Sequence, residues 1–227
     1  MQAFLRGHWQ LLLLVAAIAL LWRTPVVIPL KLLVVFLHEL GHVLAVLLTG
    51  GEVLDLTLDP MQGGAVTSRG GSRFWSLSAG YLGSLLIGVV LFMAAVRTRA
   101  DRKVLGVLGV ALLAVTVLYV RAPFALVFGA GTGAAMLLAA KYLPRDVNDL
   151  MLRVIGLACM IYVPLDIYGD TIARGWLHSD ARMLAEEFGG TTWMWGGLWL
   201  VASAWVIWMC LRRGLGANSN IRLRRRS

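Results

Sequence analysis

Val26 to Thr49 reads VVIPLKLLVVFLHELGHVLAVLLT, and His38, Glu39 and His42 stand together in the middle of it. The run is long enough to cross the ~30 Å hydrocarbon core of a bilayer as a helix. On a helix, residues four apart share a face, so His38 and His42 can present two imidazoles to one metal ion. Glu39 then sits beside them, placed to take a proton from an attacking water. Zinc suits such a site because it accepts nitrogen ligands in tetrahedral geometry and keeps a position open in catalytic centres. The competing reading makes these residues core polar groups that tie helices together. It fails on cost: each unpaired ionisable group at this depth costs on the order of 2.5 kcal/mol or more, so three within five positions need a shared partner. Of the four histidines in the chain, two lie in this motif, while His8 and His178 fall outside the spans and read as solvated.

The composition around the motif fits the same setting. The 227 residues are 59% hydrophobic and only 15% charged, with a mean hydropathy of +0.78. Apolar runs occupy most of the length, so one membrane-embedded domain, residues 1–227, is expected, with an insert at about 50–71 and a basic tail at about 212–227. The net charge of +9 comes from short basic clusters between apolar runs, with no basic helix interleaved with aromatics, so no nucleic-acid partner is expected. Cys159 and Cys210 lie in apolar spans without metal-ligand spacing. Trp22-Arg23-Thr24-Pro25 is no small-residue cleavage site, so the first apolar run reads as a retained span or hairpin arm.

Apolar runs near 9–22, 26–49, 74–96, 104–120, 122–140, 150–170 and 192–211 predict an all-α polytopic membrane protein with six or seven transmembrane helices. Within 50–71, Val53 to Asp59 alternates apolar with polar residues and is closed by Pro60 and Gly63-Gly64, which predicts a small β-hairpin at the membrane edge. Arg97, Arg99, Arg102 and Lys103, then Lys141 and Arg145, then Arg212, Arg213 and Arg222–Arg226 fall on one side under strict alternation. By the excess of basic residues that side is cytoplasmic, and the C-terminus with it. The hairpin, the Arg121 turn and the 171–191 loop fall on the other side.

A catalytic zinc site requires a third protein ligand, sought among intramembrane acids. Asp166 and Asp170 lie well inside an apolar run and one helical turn apart. Asp166 is the deeper and is favoured as the ligand; Asp170 is the alternative, or a group that supports the ligand, and either could instead pair with Arg174 or Arg153 at a span end. Pro164 is expected to break the helix just before Asp166. Small residues at Gly80, Gly83, Ser84 and Gly88, and the glycines at 129, 131 and 133, read as packing positions, and Trp193, Trp195 and Trp199 as an interfacial belt.

Phe36-Leu37-His38-Glu39-Leu40-Gly41-His42, the Gly63-Gly64 hairpin, Ser78-Ala79-Gly80-Tyr81-Leu82-Gly83-Ser84 and Leu165-Asp166 together resemble the site-two protease family of intramembrane zinc metallopeptidases. The resemblance is to its small bacterial-type branch without a PDZ domain. It implies a multi-pass protein of a bacterial cell membrane, with His38, His42 and Asp166 as zinc ligands and Glu39 as the base. It also implies a membrane-protein substrate held as an extended segment on the edge of the 50–71 hairpin. The chain departs from the family's Leu-Asp-Gly in having Leu165-Asp166-Ile167. Two other classes of function compete: a catalytically inactive membrane scaffold, and an ion or solute transporter whose buried acids and histidines form a pathway. No internal repeat supports the transporter, and Glu39 counts against the scaffold.

Overall fold

The computed structural model describes residues 2–221. Among the described residues, seven helices are long and apolar enough to cross a membrane. In chain order the elements are α1 (Gln2–Leu21), α2 (Ile28–Leu48, entered through a 3-10 turn at Pro25–Val27), β1 (Glu52–Leu58), β2 (Gly64–Arg69), α3 (Arg73–Arg97), α4 (Asp101–Tyr119), α5 (Pro123–Tyr142), α6 (Arg145–Tyr168), α7 (Asp180–Phe188) and α8 (Thr192–Gly214). Of these, α7 is a short helix in the 171–191 loop and not a span. The remaining basic residues expected at the C-terminal end, Arg222–Arg226, lie outside the described residues.

Burial separates the helices by role. In α2, 72% of the most apolar window is buried inside the protein, against 22% in α1 and α8, so the motif helix is the centre of the bundle. Phe36 and Leu37 are fully buried, and α2 joins the hairpin, α4, α5 and α6 in one apolar core. A second core gathers α1, α3, α7 and α8 against the other face of α6. Val90, Val107, Val127 and Val201 point outward, as side chains solvated by lipid would.

The hairpin forms as the alternation requires, with β1 and β2 antiparallel and a turn at 59–63 held by Asp59, whose carboxylate accepts from the Met61 N–H at 2.6 Å. The register shifts between Val53 and Asp55. That bulge turns Val53 inward with Leu56 and Leu58 and leaves Leu54 exposed, where unbroken alternation would have buried Leu54. Leu56 also makes a short parallel bridge to Val120, so the hairpin and the α4–α5 turn lie at the same end of the bundle.

The basic turns meet at the opposite end. Arg97 donates to the Gly214 carbonyl, Arg102 to the Leu143 carbonyl and Arg145 to the Thr98 carbonyl. The start of α1 packs against the segment after α8: Ser219 N–H donates to the Gly7 carbonyl at 2.9 Å, and the Ser219 hydroxyl meets His8 Nδ1 at 2.8 Å. His8 is therefore buried in a tertiary contact rather than solvated. Arg153 of α6 donates to the Ser219 carbonyl and pairs with Asp149 one turn earlier at 2.9 Å, both side chains nearly inaccessible.

Two further expectations are corrected in this frame. Pro164 does not end its helix; α6 runs through it to Tyr168 and then widens into a π-helical turn at Gly169–Ala173, closed by the Arg174 N–H on the Gly169 carbonyl. Trp199 is not interfacial but 4% exposed, packed 5.3 Å from the Tyr81 ring, while Trp193 does face outward. The Arg153 pairing can be tested directly. Arg153→Ala should lower thermal stability in detergent by about 3–5 kcal/mol, because Asp149 is left buried without its partner. Adding Asp149→Asn to the same chain should recover part of the loss.

Candidate metal centre

His38 and His42 lie one turn apart on α2 with ring centroids 4.8 Å from each other. His38 lies 10 residues, ~15 Å of helical rise, from the C-terminal end of α2, near the middle of a 21-residue helix long enough to cross a bilayer core. The third group beside them is the carboxylate of Asp180: Oδ2 stands 3.2 Å from His38 Nε2 and 3.3 Å from His42 Nε2. Asp180 is the first residue of α7, whose helix is capped by the Ser179 hydroxyl accepting the Arg182 N–H. Ala181 and Leu184 bury the inner face of α7, and Arg73 of α3 pairs with Glu187 at 2.8 Å on its outer face.

Neither Asp166 nor Asp170 joins this group. Both line the same cavity of about 840 Å³. Asp170 instead accepts from the Tyr81 hydroxyl at 3.0 Å and from Arg174 at 2.8 Å, and Tyr81 packs edge-on against His38 with ring centroids 4.6 Å apart. The pairing of Asp170 with Arg174 considered from the sequence is thus present, and Asp170 supports the site through Tyr81. Asp166 lines the cavity that His38, Glu39 and His42 also line, but it is not one of the three converging groups. Asp180 escapes the sequence reading because it lies in the polar segment between spans. The available signal is local: Ser179 as a helix cap, followed by apolar residues at Ala181, Leu184 and Phe188, marks an amphipathic helix that opens with an acid.

The donor set fits a metal ion. His42 Nδ1–H donates to the Ser76 carbonyl at 2.8 Å, so the neutral ring presents a lone pair at Nε2. That lone pair faces a carboxylate oxygen, an arrangement that calls for a cation held in common. Ligand atoms about 2.0–2.1 Å from a tetrahedral zinc lie roughly 3.3 Å from one another; the Asp180 oxygen stands 3.2 and 3.3 Å from the two imidazoles, and the three ligand atoms lie within 4.8 Å of one another.

Glu39 completes the arrangement. It is 3% exposed, and its Oε2 has no hydrogen-bond partner. Two glycines make the room: a Cβ on Gly80 would lie 2.4 Å from His38 Nε2 and 2.6 Å from His42 Nε2, and one on Gly64 would lie 2.5 Å from Glu39 Oε1. Gly80 therefore shapes the centre itself, beyond the helix packing its spacing suggests, and Gly64 brings β2 against the glutamate.

Fold and site together define an integral membrane protein with a candidate metal centre buried at the depth of its spans. The sequence matches the Peptidase M50B-like family over residues 11–210, and the chain belongs to that family, which is the site-two protease family of zinc metallopeptidases. No curated protein and no solved structure matches it. Gly80→Val should displace both imidazoles and weaken zinc binding at least about 10-fold. Zinc titration of protein whose folding is verified by thermal denaturation reads this out.

Proposed function

We propose that the protein is an intramembrane zinc endopeptidase that hydrolyses a peptide bond in or near a transmembrane segment of a membrane-protein substrate. The observation that carries this reading is the buried Glu39 carboxylate, with one oxygen unpartnered, beside the convergent His38, His42 and Asp180. In this reading His38, His42 and Asp180 are the metal ligands, and Asp166 lines the substrate cavity. Zinc held there supplies a Lewis acid for the scissile carbonyl and lowers the pKa of water. Glu39 takes a proton from the attacking water as its oxygen bonds to the carbonyl carbon, and returns it to the amine nitrogen as the C–N bond breaks. Ser76, through its carbonyl on His42 Nδ1–H, keeps that ring in the ligating tautomer.

The hairpin supports an extended substrate. Beyond its pairing with β2, β1 has Val120 bridged to Leu56, whereas β2 takes no second strand among the described residues. Gly63, Gly64, Ala65 and Val66 line the cavity, so a segment added to β2 passes Glu39. Such a segment must be unwound, because an intact helix hides its carbonyls. By the excess of basic residues at the other end, the C-terminus is cytoplasmic and the cavity opens on the opposite side of a cell membrane. The inactive scaffold and the transporter gain no observation of their own.

Metal content and activity test the two halves separately. Detergent-purified wild type should hold about one zinc per chain by elemental analysis; Asp180→Ala should lose it and Asp166→Ala keep it. Retention in Asp180→Ala with loss in Asp166→Ala would return the ligand role to Asp166. Glu39→Gln should keep its zinc and lose roughly 10²–10⁴-fold in cleavage of a reconstituted transmembrane substrate. Unchanged cleavage would exclude Glu39 as the base.

A further inference from the structure

At the end of the bundle away from the metal centre, a second pocket of about 490 Å³ is lined by Arg99, Ala100, Arg102, Lys103 and Arg145. It lies where the α3–α4 turn meets the start of α6. Arg97 ends α3 17 residues beyond Gly80, which places this pocket about 25 Å from the metal centre along the helix axis. It therefore belongs to the opposite membrane face and to no part of the site above.

Two of its guanidinium groups are fixed in place. Arg145 Nε donates to the buried Asp101 carboxylate at 2.6 Å, and another of its nitrogens donates to the Thr98 carbonyl at 3.2 Å. Arg102 donates to the Leu143 carbonyl at 2.8 Å. Each fork keeps further N–H donors, and Arg99 and Lys103 stand exposed beside them. Against four cations the nearest carboxylate, Asp101, is wholly buried beneath Arg145, and Asp146 does not line the pocket. Fixed, forked donors around a concavity match the oxygens of a phosphate better than a diffuse basic surface does. Next to the pocket Tyr142 and Leu143 expose apolar surface at a span end, where lipid headgroups begin.

We propose that this pocket binds the phosphate of an anionic lipid headgroup, clamping the α3–α4 turn to the start of α6. A lipid is favoured over free phosphate because the pocket sits at the ends of membrane-embedded helices, where an acyl chain adds its own burial to the same phosphate contacts.

The test uses the full chain in detergent, titrated with phosphatidylglycerol or phosphatidylcholine, with bound lipid counted by native mass spectrometry. Wild type should prefer phosphatidylglycerol at least about 10-fold. Each cation near a membrane surface contributes roughly five-fold, so Arg99→Ala with Lys103→Ala should lower phosphatidylglycerol affinity about 25-fold. Both residues are exposed, so their loss leaves the core intact, and Arg145 is kept because it neutralises Asp101. Arg212→Ala with Arg213→Ala removes as many charges elsewhere at the same end and should leave the affinity within two-fold. Equal losses from the two double variants, or no loss from the first, would overturn the pocket in favour of diffuse surface charge. In a parallel arm, inorganic phosphate should displace no more lipid than chloride at matched ionic strength; stronger displacement would assign the pocket to free phosphate and overturn the lipid.

Discussion

Ionisable side chains at the depth of a bilayer have no water to share, and the arrangement around His38, His42, Glu39 and Asp180 follows from that constraint. The two imidazoles face a carboxylate rather than lipid, and His42 spends its second nitrogen on the Ser76 carbonyl. To hold them so, α2 must be wrapped on nearly every side, which is why it is the most buried span and why Phe36 and Leu37 admit no solvent. The glycines at 64 and 80 follow from the same requirement: any side chain there would occupy the space that the polar groups need. The chain thus places its most expensive residues on its best protected helix.

Around that helix the polar contacts are arranged in tiers. Arg174, Asp170 and Tyr81 form a chain of contacts that ends against the His38 ring, linking the π-helical turn after α6 to α2. Trp199 of α8 backs the Tyr81 ring, so the last span also bears on the centre. On the outer side, the Arg73–Glu187 pair is exposed and contributes at most about 1 kcal/mol to holding α7, whose attachment rests on Ala181 and Leu184.

How much of this could be read from the sequence depends on the length scale of each signal. Helical spacing within α2 is local, so His38, Glu39 and His42 were legible as a unit, as were the apolar runs and the hairpin between them. The partner of the two histidines lies 138 residues beyond His42 and is brought there by tertiary packing. No periodicity carries such information, and depth in an apolar run favours Asp166, which is half-buried on the wall of the same cavity. Pro164 illustrates a related limit: a proline loses one backbone hydrogen bond, yet within a packed bundle the helix passes through it. Burial of a single polar or aromatic residue such as His8 or Trp199 is decided by what packs on it, here the Ser219 segment and Tyr81.

The position of Asp180 along the chain also bears on biosynthesis. Spans α3 to α6 separate it from the histidine pair, so a ribosome must deliver most of the protein to the membrane before the three groups can meet. A half-made chain carries the glutamate and both imidazoles but lacks the carboxylate that unites them. The order of synthesis therefore delays assembly of the centre: its three groups can converge only after α3 to α6 have entered the bilayer.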